Sequence, residues 1–159
     1  MEIEGILLGN PEIYFRIFFS ACIGFIIGME RGAKNKPAGI KTYMVVSTAC
    51  TLITLISIYS VELYGSVSGE TVMDPMRLAA QIVTGLGFLG AGLILKEGLH
   101  VKGLTSAAMI LFAGGVGIGV GAGFYGLVVF SVAIVMLLSK VGNYVETRHL
   151  VPKQKDEEH

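Results

Sequence analysis

Three glycines in one of the most apolar stretches of the sequence have the spacing of a nucleotide-binding motif. Gly85, Gly87 and Gly90 match G-x-G-x-x-G, a pattern that places backbone amides against a pyrophosphate at the start of a helix. The motif requires a preceding β-strand and an acidic residue about 20 positions later. Here it lies within a continuous apolar run that has other apolar runs on both sides. This context favours helix packing in a membrane over nucleotide binding.

Charged residues at the edges of the apolar runs could form a polar cluster. Arg16, Asp74 and Arg77 are predicted to lie at one end of a helix bundle, where Asp74 would cap a helix and neutralise one of the arginines. A simple N-cap with arginines at the membrane interface is the alternative. Two arginines would leave the cluster positive, whereas a magnesium site requires carboxylates. The sequence therefore indicates no metal site here.

A second charged group follows the first apolar run. It contains Glu30, Arg31, Lys41 and Thr42. One interpretation is a solvated ion pair, which contributes less than about 1 kcal/mol to stability. The other is a folded loop that holds helix ends in register or docks against a partner.

Several uncharged polar residues fall inside the predicted helices. Gln81 is an amide within an apolar run, and we predict that it forms a hydrogen bond across helices; a substrate contact is the alternative. Ser47, Thr51 and Thr54 follow one side of a helix. Their hydroxyl groups could bond carbonyls four residues back, or they could contact another helix or line a pore.

No residue pattern indicates catalysis. All three histidines are predicted in loops or in the tail, no nucleophile has a visible base, and no pair of acids lies within an apolar run. Cys22 and Cys50 both lie in apolar runs without a Cys-x-x-Cys spacing, which argues against a disulfide scaffold or a zinc site. We therefore expect neither an enzyme nor a bound cofactor; magnesium is possible but is not indicated by these residues.

The composition is typical of a membrane protein. Hydrophobic residues make up 53% of the 159 residues, and charged residues make up 15% with a net charge of zero. Soluble domains contain about 25% charged residues. The absence of a basic patch in the sequence disfavours nucleic acid as a partner. The lipid bilayer is the partner that this composition predicts.

The apolar runs predict an all-α, polytopic membrane bundle with five transmembrane helices. The predicted spans are 12–29, 42–62, 77–95, 104–122 and 124–144. They would form one domain over residues 1–145, followed by a charged, disordered cytoplasmic tail at 146–159.

The third span is predicted to be the central helix of the bundle. Helical spacing puts its bulky residues on one stripe, which we assign to lipid: Ile82, Leu86, Leu89 and Leu93. Its small residues form two other faces, which we assign to helix packing: Gly85, Gly87, Gly90 and Gly92. Small residues allow helix backbones to approach closely in lipid.

The distribution of Lys and Arg predicts the orientation. Ten of these residues fall on one side of the predicted spans, and only Arg16 and Arg77 fall on the other. Positive residues are enriched in cytoplasmic loops, so we expect the N-terminus outside and the C-terminus in the cytoplasm. Glu2 and Glu4 with no early Lys or Arg argue against a cleaved signal peptide.

Three sequence blocks together resemble one known family. They are GFIIGMERGAKNKPAGIKTYMVV at 24–46, DPMRLAAQIVTGLGFLGAGLILKEG at 74–98 and VKGLTSAAMILFAGGVGIGVGAG at 101–123. They resemble the MgtC/SapB family of bacterial inner-membrane proteins over roughly residues 14–140. Lys41, Tyr43 and Ser106 stand where Arg, His and Thr are expected in many members.

This resemblance implies an inner-membrane protein linked to magnesium limitation, and some members of the family are virulence factors. Larger members add a cytoplasmic ACT-like domain, which we expect this chain to lack. We predict a non-enzymatic regulator that acts through helix contacts with itself, most simply as a homodimer, or with another inner-membrane protein. The alternative is a transporter or channel for magnesium, another small ion or a solute. Such a pathway would need acids at membrane depth, and the spans after the first contain none between their ends.

Overall fold

The structure is a computed structural model that describes residues 9–32, 38–64 and 74–149. These residues form five helices and one β-hairpin. In chain order the elements are α1 (Pro11–Gly32), α2 (Ile40–Tyr64), α3 (Arg77–Gly92), β1 (Leu95–Glu97), β2 (His100–Lys102), α4 (Leu104–Gly121) and α5 (Tyr125–His149). The backbone of α5 extends four residues into the segment predicted to be a disordered tail. The remainder of that segment, 150–159, lies outside the described residues.

Four of these helices are long and apolar enough to cross a membrane. They are Pro11–Gly32, Ile40–Tyr64, Leu104–Gly121 and the part of α5 over Tyr125–Val145. The helix α3 has 16 residues, or about 24 Å at 1.5 Å per residue, whereas the hydrocarbon core of a bilayer is about 30 Å thick. The mostly helical fold and four of the predicted spans are therefore observed, and the third span is shorter than predicted.

A small hairpin replaces the loop predicted between the third and fourth spans. Strands β1 and β2 pair antiparallel, with Leu95 opposite Lys102 and Glu97 opposite His100. Gly98 occupies the two-residue turn with φ of 60°, which glycine adopts without the steric cost that a side chain would bring. The purely helical prediction missed this hairpin because its two strands contain only three residues each.

Helices α1 and α2 pack antiparallel through two glycines. A methyl group added at Gly24 would lie 2.8 Å from Met44 Cα, and one added at Gly28 would lie 2.5 Å from Ile40 Cα. Residues later in α1 therefore contact residues earlier in α2. Side chains at these two positions would force the backbones apart, as expected where membrane helices pack through small residues.

Helices α2 and α4 also pack through glycines, but they run parallel. A methyl group at Gly117 would lie 2.8 Å from Cys50 Cβ, and one at Gly121 would lie 2.7 Å from Thr54 Cβ. Both helices therefore begin at the same end of the bundle. Because α4 contacts α1, α2, α3 and α5, it is the central helix, and the central position predicted for α3 is wrong.

The helix α3 returns the chain from the end of α2 to the start of α4. The Ser57 hydroxyl in the last third of α2 donates to the Pro75 carbonyl at 2.6 Å, just before α3 begins. Near its other end, Gly90 lies beside Ala107 in the first turn of α4. The helix α3 is therefore antiparallel to both α2 and α4.

The packed face of α3 is the bulky stripe that the sequence assigned to lipid. Ile82 and Leu86 are only 8% and 5% exposed, and the Leu86 side chain occupies the space beside Gly114 of α4. Leu93 packs against the same core, whereas Leu89 is exposed. The lipid assignment is therefore wrong for most of the stripe, because α4 supplies the small residues at this contact and α3 supplies the large ones.

The small residues of α3 mostly face away from the bundle. A methyl group at Gly85, Gly87 or Gly92 would meet no atom of the described residues within 4 Å. Gly90 is different, because a methyl group there would lie 3.6 Å from Ala107 Cβ. Among the described residues, only Gly90 of the four predicted packing glycines has a neighbouring helix within 4 Å of its methyl position.

Two glycines in α4 allow a direct test of this core. Gly117→Ala should lower the thermal unfolding temperature in detergent, because its methyl group overlaps α2 and overpacking costs about 1–3 kcal/mol. Gly115→Ala is the matched control, since no atom lies within 4 Å of its methyl position and alanine favours a helix by about 1 kcal/mol over glycine. Equal melting temperatures for the two variants, followed by circular dichroism, would contradict the packing described here.

Candidate functional site

A hydroxyl cluster of Ser20, Ser47 and Thr51 lies at the centre of the interface between α1, α2 and α4. The Ser20 hydroxyl oxygen lies 2.8 Å from that of Ser47 and 2.7 Å from that of Thr51. The Thr51 hydroxyl also lies 2.8 Å from the Gly117 carbonyl of α4 and donates to it. All three side chains are fully buried. Because a buried hydroxyl without a partner costs about 1–3 kcal/mol, this network links three helices while satisfying its own polar groups.

The two interpretations of the hydroxyl residues of α2 apply to different members. Thr54 donates to the Cys50 carbonyl at 2.8 Å, four residues back in its own helix. Thr51 contacts the Ser47 carbonyl at 3.1 Å and also reaches α1 and α4. Ser47 bonds across to α1. The sequence analysis did not identify Ser20 or Gly117, although both follow from the small-residue interfaces once these helices are paired.

Arg16 joins α1 to the end of α4. Its Nε donates to Glu12 Oε1 at 3.1 Å, and its Nη1 donates to the Gly121 carbonyl at 2.6 Å. The guanidinium group also lies 5.9 Å from the centre of the Tyr125 ring. Carbonyls at the C-terminal end of a helix carry partial negative charge, so this contact places the cation where α4 favours it.

The structure contradicts the predicted cluster of Arg16, Asp74 and Arg77. Glu12 is the acid that pairs with Arg16, one helical turn away. Asp74 is exposed, and its Oδ1 accepts a hydrogen bond from the Met76 amide at 2.8 Å, which orders the turn before α3. Arg77 is also exposed and has no ion pair among the described residues. The i, i+4 spacing of Glu12 and Arg16 was the sequence signal for the correct pair.

The end of the bundle where α1 finishes and α2 begins contains a second buried polar group. Arg31 is 4% exposed, and its Nε lies 3.9 Å from Glu30 Oε2. The Tyr43 hydroxyl is buried at the start of α2 and has no hydrogen-bond partner among the described residues, and Ser106 is buried at the start of α4. These residues come from the end of α1 and the starts of α2 and α4. The burial favours the folded arrangement over a solvated pair.

Lys41 and Thr42 do not join this buried group, because both are exposed at the start of α2. Residues 33–37, which include the rest of the predicted loop, lie outside the described residues. Across the described ranges, the structure contains no group of three or more His, Cys, Asp or Glu side chains that could hold a metal ion.

Gln81 has no hydrogen bond to any other described residue of this chain. Its side chain is exposed on α3, next to the open position at Gly85. The two residues line an apolar groove of about 480 Å³ between α2 and α3, together with Ala49, Ile53 and Leu78. The predicted hydrogen bond across helices is therefore not formed among the described residues.

Comparison with known proteins gives a consistent match. Residues 17–148 match the sequence profile of the MgtC family. An uncharacterized protein of Haemophilus influenzae is 41% identical over 150 residues, which cover 89% of this chain and 61% of the relative. Protein SapB of Bacillus subtilis is 43% identical over 117 residues, which cover 73% and 50%. No solved structure gives a significant match.

A third relative carries a functional name. The "Putative magnesium transporter YhiD" of Escherichia coli K12 is 35% identical over 132 residues, which cover 83% of this chain and 61% of that protein. The chain therefore spans about half to three fifths of the length of these curated relatives. The family resemblance found in the three sequence blocks is confirmed.

Substitutions of Glu12 and Asp74, the acids close in sequence to Arg16 and Arg77, make a matched pair of variants. Glu12→Gln should lower the unfolding temperature of the monomer in detergent, because it leaves the partly buried Arg16 guanidinium without its carboxylate partner. Asp74→Asn should change the free energy of unfolding by no more than about 0.5 kcal/mol, since asparagine caps a helix start about as well as aspartate. A larger loss from Asp74→Asn than from Glu12→Gln would restore the cluster predicted from sequence.

Proposed function

This chain belongs to the MgtC family, and on that basis we propose that it is a non-enzymatic regulator of the bacterial inner membrane that acts during magnesium limitation. It acts through helix contacts, with a second copy or with another inner-membrane protein, rather than by moving magnesium through its own bundle. The link to virulence that the family resemblance implies is part of this proposal.

The closed core is the observation that carries the proposal. At the centre of the bundle, the hydroxyl groups of Ser20 and Thr51 are satisfied by one another and by the Gly117 carbonyl. At the level of this cluster, the buried polar side chains of the described residues are serines and threonines; the largely buried carboxylate of Glu30 lies at the end of α1, beside Arg31. Magnesium binds through carboxylates and retains several waters. The centre of the bundle therefore offers the hydrated ion neither a charge partner nor room.

The same proposal includes five spans, with the N-terminus outside. Because α2 and α4 run parallel, the chain must return between them, and α3 is the segment that does so. Tilt or local thinning of the bilayer can accommodate a helix of 16 residues. The excess of Lys and Arg in the segments before α2, after α3 and after α5 favours the cytoplasm for those ends.

A transporter or channel is the second candidate. It is favoured by the name of YhiD, a relative that is 35% identical. Because the centre of a single bundle is filled, an ion or solute pathway in this chain would have to form between copies or along the groove between α2 and α3.

Cysteine labelling tests the topology. In a chain whose Cys22 and Cys50 are replaced by alanine, an impermeant thiol reagent added to intact cells should label Ser68→Cys but neither Asn35→Cys nor Leu99→Cys. Leu99 is 98% exposed at the hairpin tip, so its protection would reflect its side of the membrane. Labelling at both 68 and 99 would mean that α3 does not cross, and labelling at 35 and 99 but not at 68 would reverse the orientation.

Flux measurements test the regulator against the transporter. Purified protein in liposomes should give no magnesium uptake above that of empty liposomes when an entrapped dye reports an imposed gradient, because the described residues place no carboxylate at the centre of the bundle. Liposomes that contain a known magnesium channel show that the dye responds.

The same protein should restore growth at limiting magnesium to a bacterial strain that lacks its own gene for this chain. Saturable, protein-dependent uptake would contradict the regulator proposal and support the transporter candidate. Absence of both uptake and growth rescue would contradict the magnesium link itself.

A further inference from the structure

The Gln81 amide is exposed at the middle depth of the helix bundle. It shares one groove with Cys50 and Ile53 of α2, and Cys50 contacts Gly117 beside the hydroxyl cluster. At 1.5 Å per residue, Cys50 lies about 15 Å from the start of α2 and about 21 Å from its end. A glutamine side chain cannot reach either end from that level. Its amide therefore faces the hydrocarbon of a surrounding bilayer.

An amide at this depth favours a hydrogen-bond partner, because hydrocarbon offers neither donors nor acceptors. Gln81 has none among the described residues of its own chain. Glutamine carries both an acceptor oxygen and donor N–H groups, so it is complementary to a second glutamine in the same orientation. Two copies related by a two-fold axis along the membrane normal would bring these two amides together.

The rest of this surface is compatible with such an arrangement. Helical spacing places five exposed residues within a sector of about 80° on α3, and we call them the α3 outer face: Arg77, Gln81, Gly85, Phe88 and Gly92. A methyl group at Gly85 or Gly92 would meet no described atom within 4 Å. A second helix can therefore approach the backbone of α3 closely at Gly85 and Gly92, which follow Gln81 along the helix.

Charge complementarity at the outer end also points to a second copy. Asp74 and Arg77 are both exposed, and neither forms an ion pair within the described residues. A two-fold pair would bring the starts of the two α3 helices together, and because Asp74 and Arg77 are only three residues apart, each Arg77 could reach Asp74 of the other copy to form two reciprocal ion pairs. A partner without this same pattern would leave these charges unmatched.

We propose that the α3 outer face binds a second copy of this chain, with the two Gln81 amides paired at mid-depth and Gly85 at the close backbone contact. This inference rests on the proposal that the protein acts through helix contacts, and it specifies one partner and one surface. The groove beside Gln81, about 480 Å³ in volume, receives apolar side chains of the opposing α3.

Dimerisation in bilayers tests the surface. Energy transfer between donor-labelled and acceptor-labelled copies is measured while the protein-to-lipid ratio is varied. The parent should dimerise, and Gln81→Met should weaken association about three- to twentyfold, the range measured for hydrogen bonds between membrane helices. Gly85→Leu should abolish association through steric contact. Gly126→Leu on α5 is the matched control, because its position is equally open within the chain, and it should dimerise like the parent.

Cross-linking tests independently whether the two-fold axis of the dimer passes close to Gln81. With Cys22 and Cys50 replaced by alanine, oxidation should join two copies through Gln81→Cys but not through Phe130→Cys, which is 68% exposed on α5. Unchanged thermal unfolding of the Gly85→Leu variant would show that its loss of association does not come from misfolding.

Three outcomes would overturn the inference: a parent that stays monomeric at high density, variants at 81 and 85 that associate like the parent, or cross-linking at 81 only to a different protein in native membranes. A dimer that forms through another face would overturn this surface and leave the regulator proposal intact. Magnesium uptake by liposomes would overturn the regulator proposal without affecting the α3 surface.

Discussion

The contact between the Thr51 hydroxyl and the Gly117 carbonyl is the interaction on which the rest of the bundle depends. Two helices can bring a side-chain hydroxyl and a backbone carbonyl this close only if the intervening residue has no side chain, and Gly117 meets that requirement. Once α2 and α4 are in contact, Ser20 completes the network from α1. In a membrane, polar groups that are not satisfied in this way have no water as an alternative.

The charged residues lie at the ends of this core. Arg16 contacts the Gly121 carbonyl at the end of α4, and Arg31 and Tyr43 are buried at the opposite end of the bundle. Each site joins α1 to α4 or α2, so the three helices are held together at both ends as well as at the centre. This distribution concentrates polar contacts within one three-helix unit. It also leaves α3 and α5 as peripheral helices whose surfaces are mostly open to lipid or to other proteins.

A filled centre and an open periphery favour action through surfaces. Among the described residues, the centre of the bundle has no carboxylate and no space for a hydrated ion, whereas α3 and the turn before it expose an amide, glycines and a pair of opposite charges. The Gln81 amide has no hydrogen bond to another described residue of its own chain. A role in assembly accounts for an amide that would otherwise be costly at this depth.

The sequence by itself determined that this is a helical membrane protein, because long apolar runs separated by clustered charges are typical of transmembrane helices. It also identified the family blocks and the start of α1, where Asn10 accepts a hydrogen bond from the Glu12 amide. It could not decide which face of α3 is packed, because both bulky and small residues can contact a neighbour and the choice depends on α4, whose Gly114 accommodates Leu86. Likewise, the partner of Arg16 was decided by tertiary structure: Glu12 and the Gly121 carbonyl converge on it only after α1 packs against the end of α4. Periodicity defines the faces of one helix, and only the opposing helix decides which of those faces is buried.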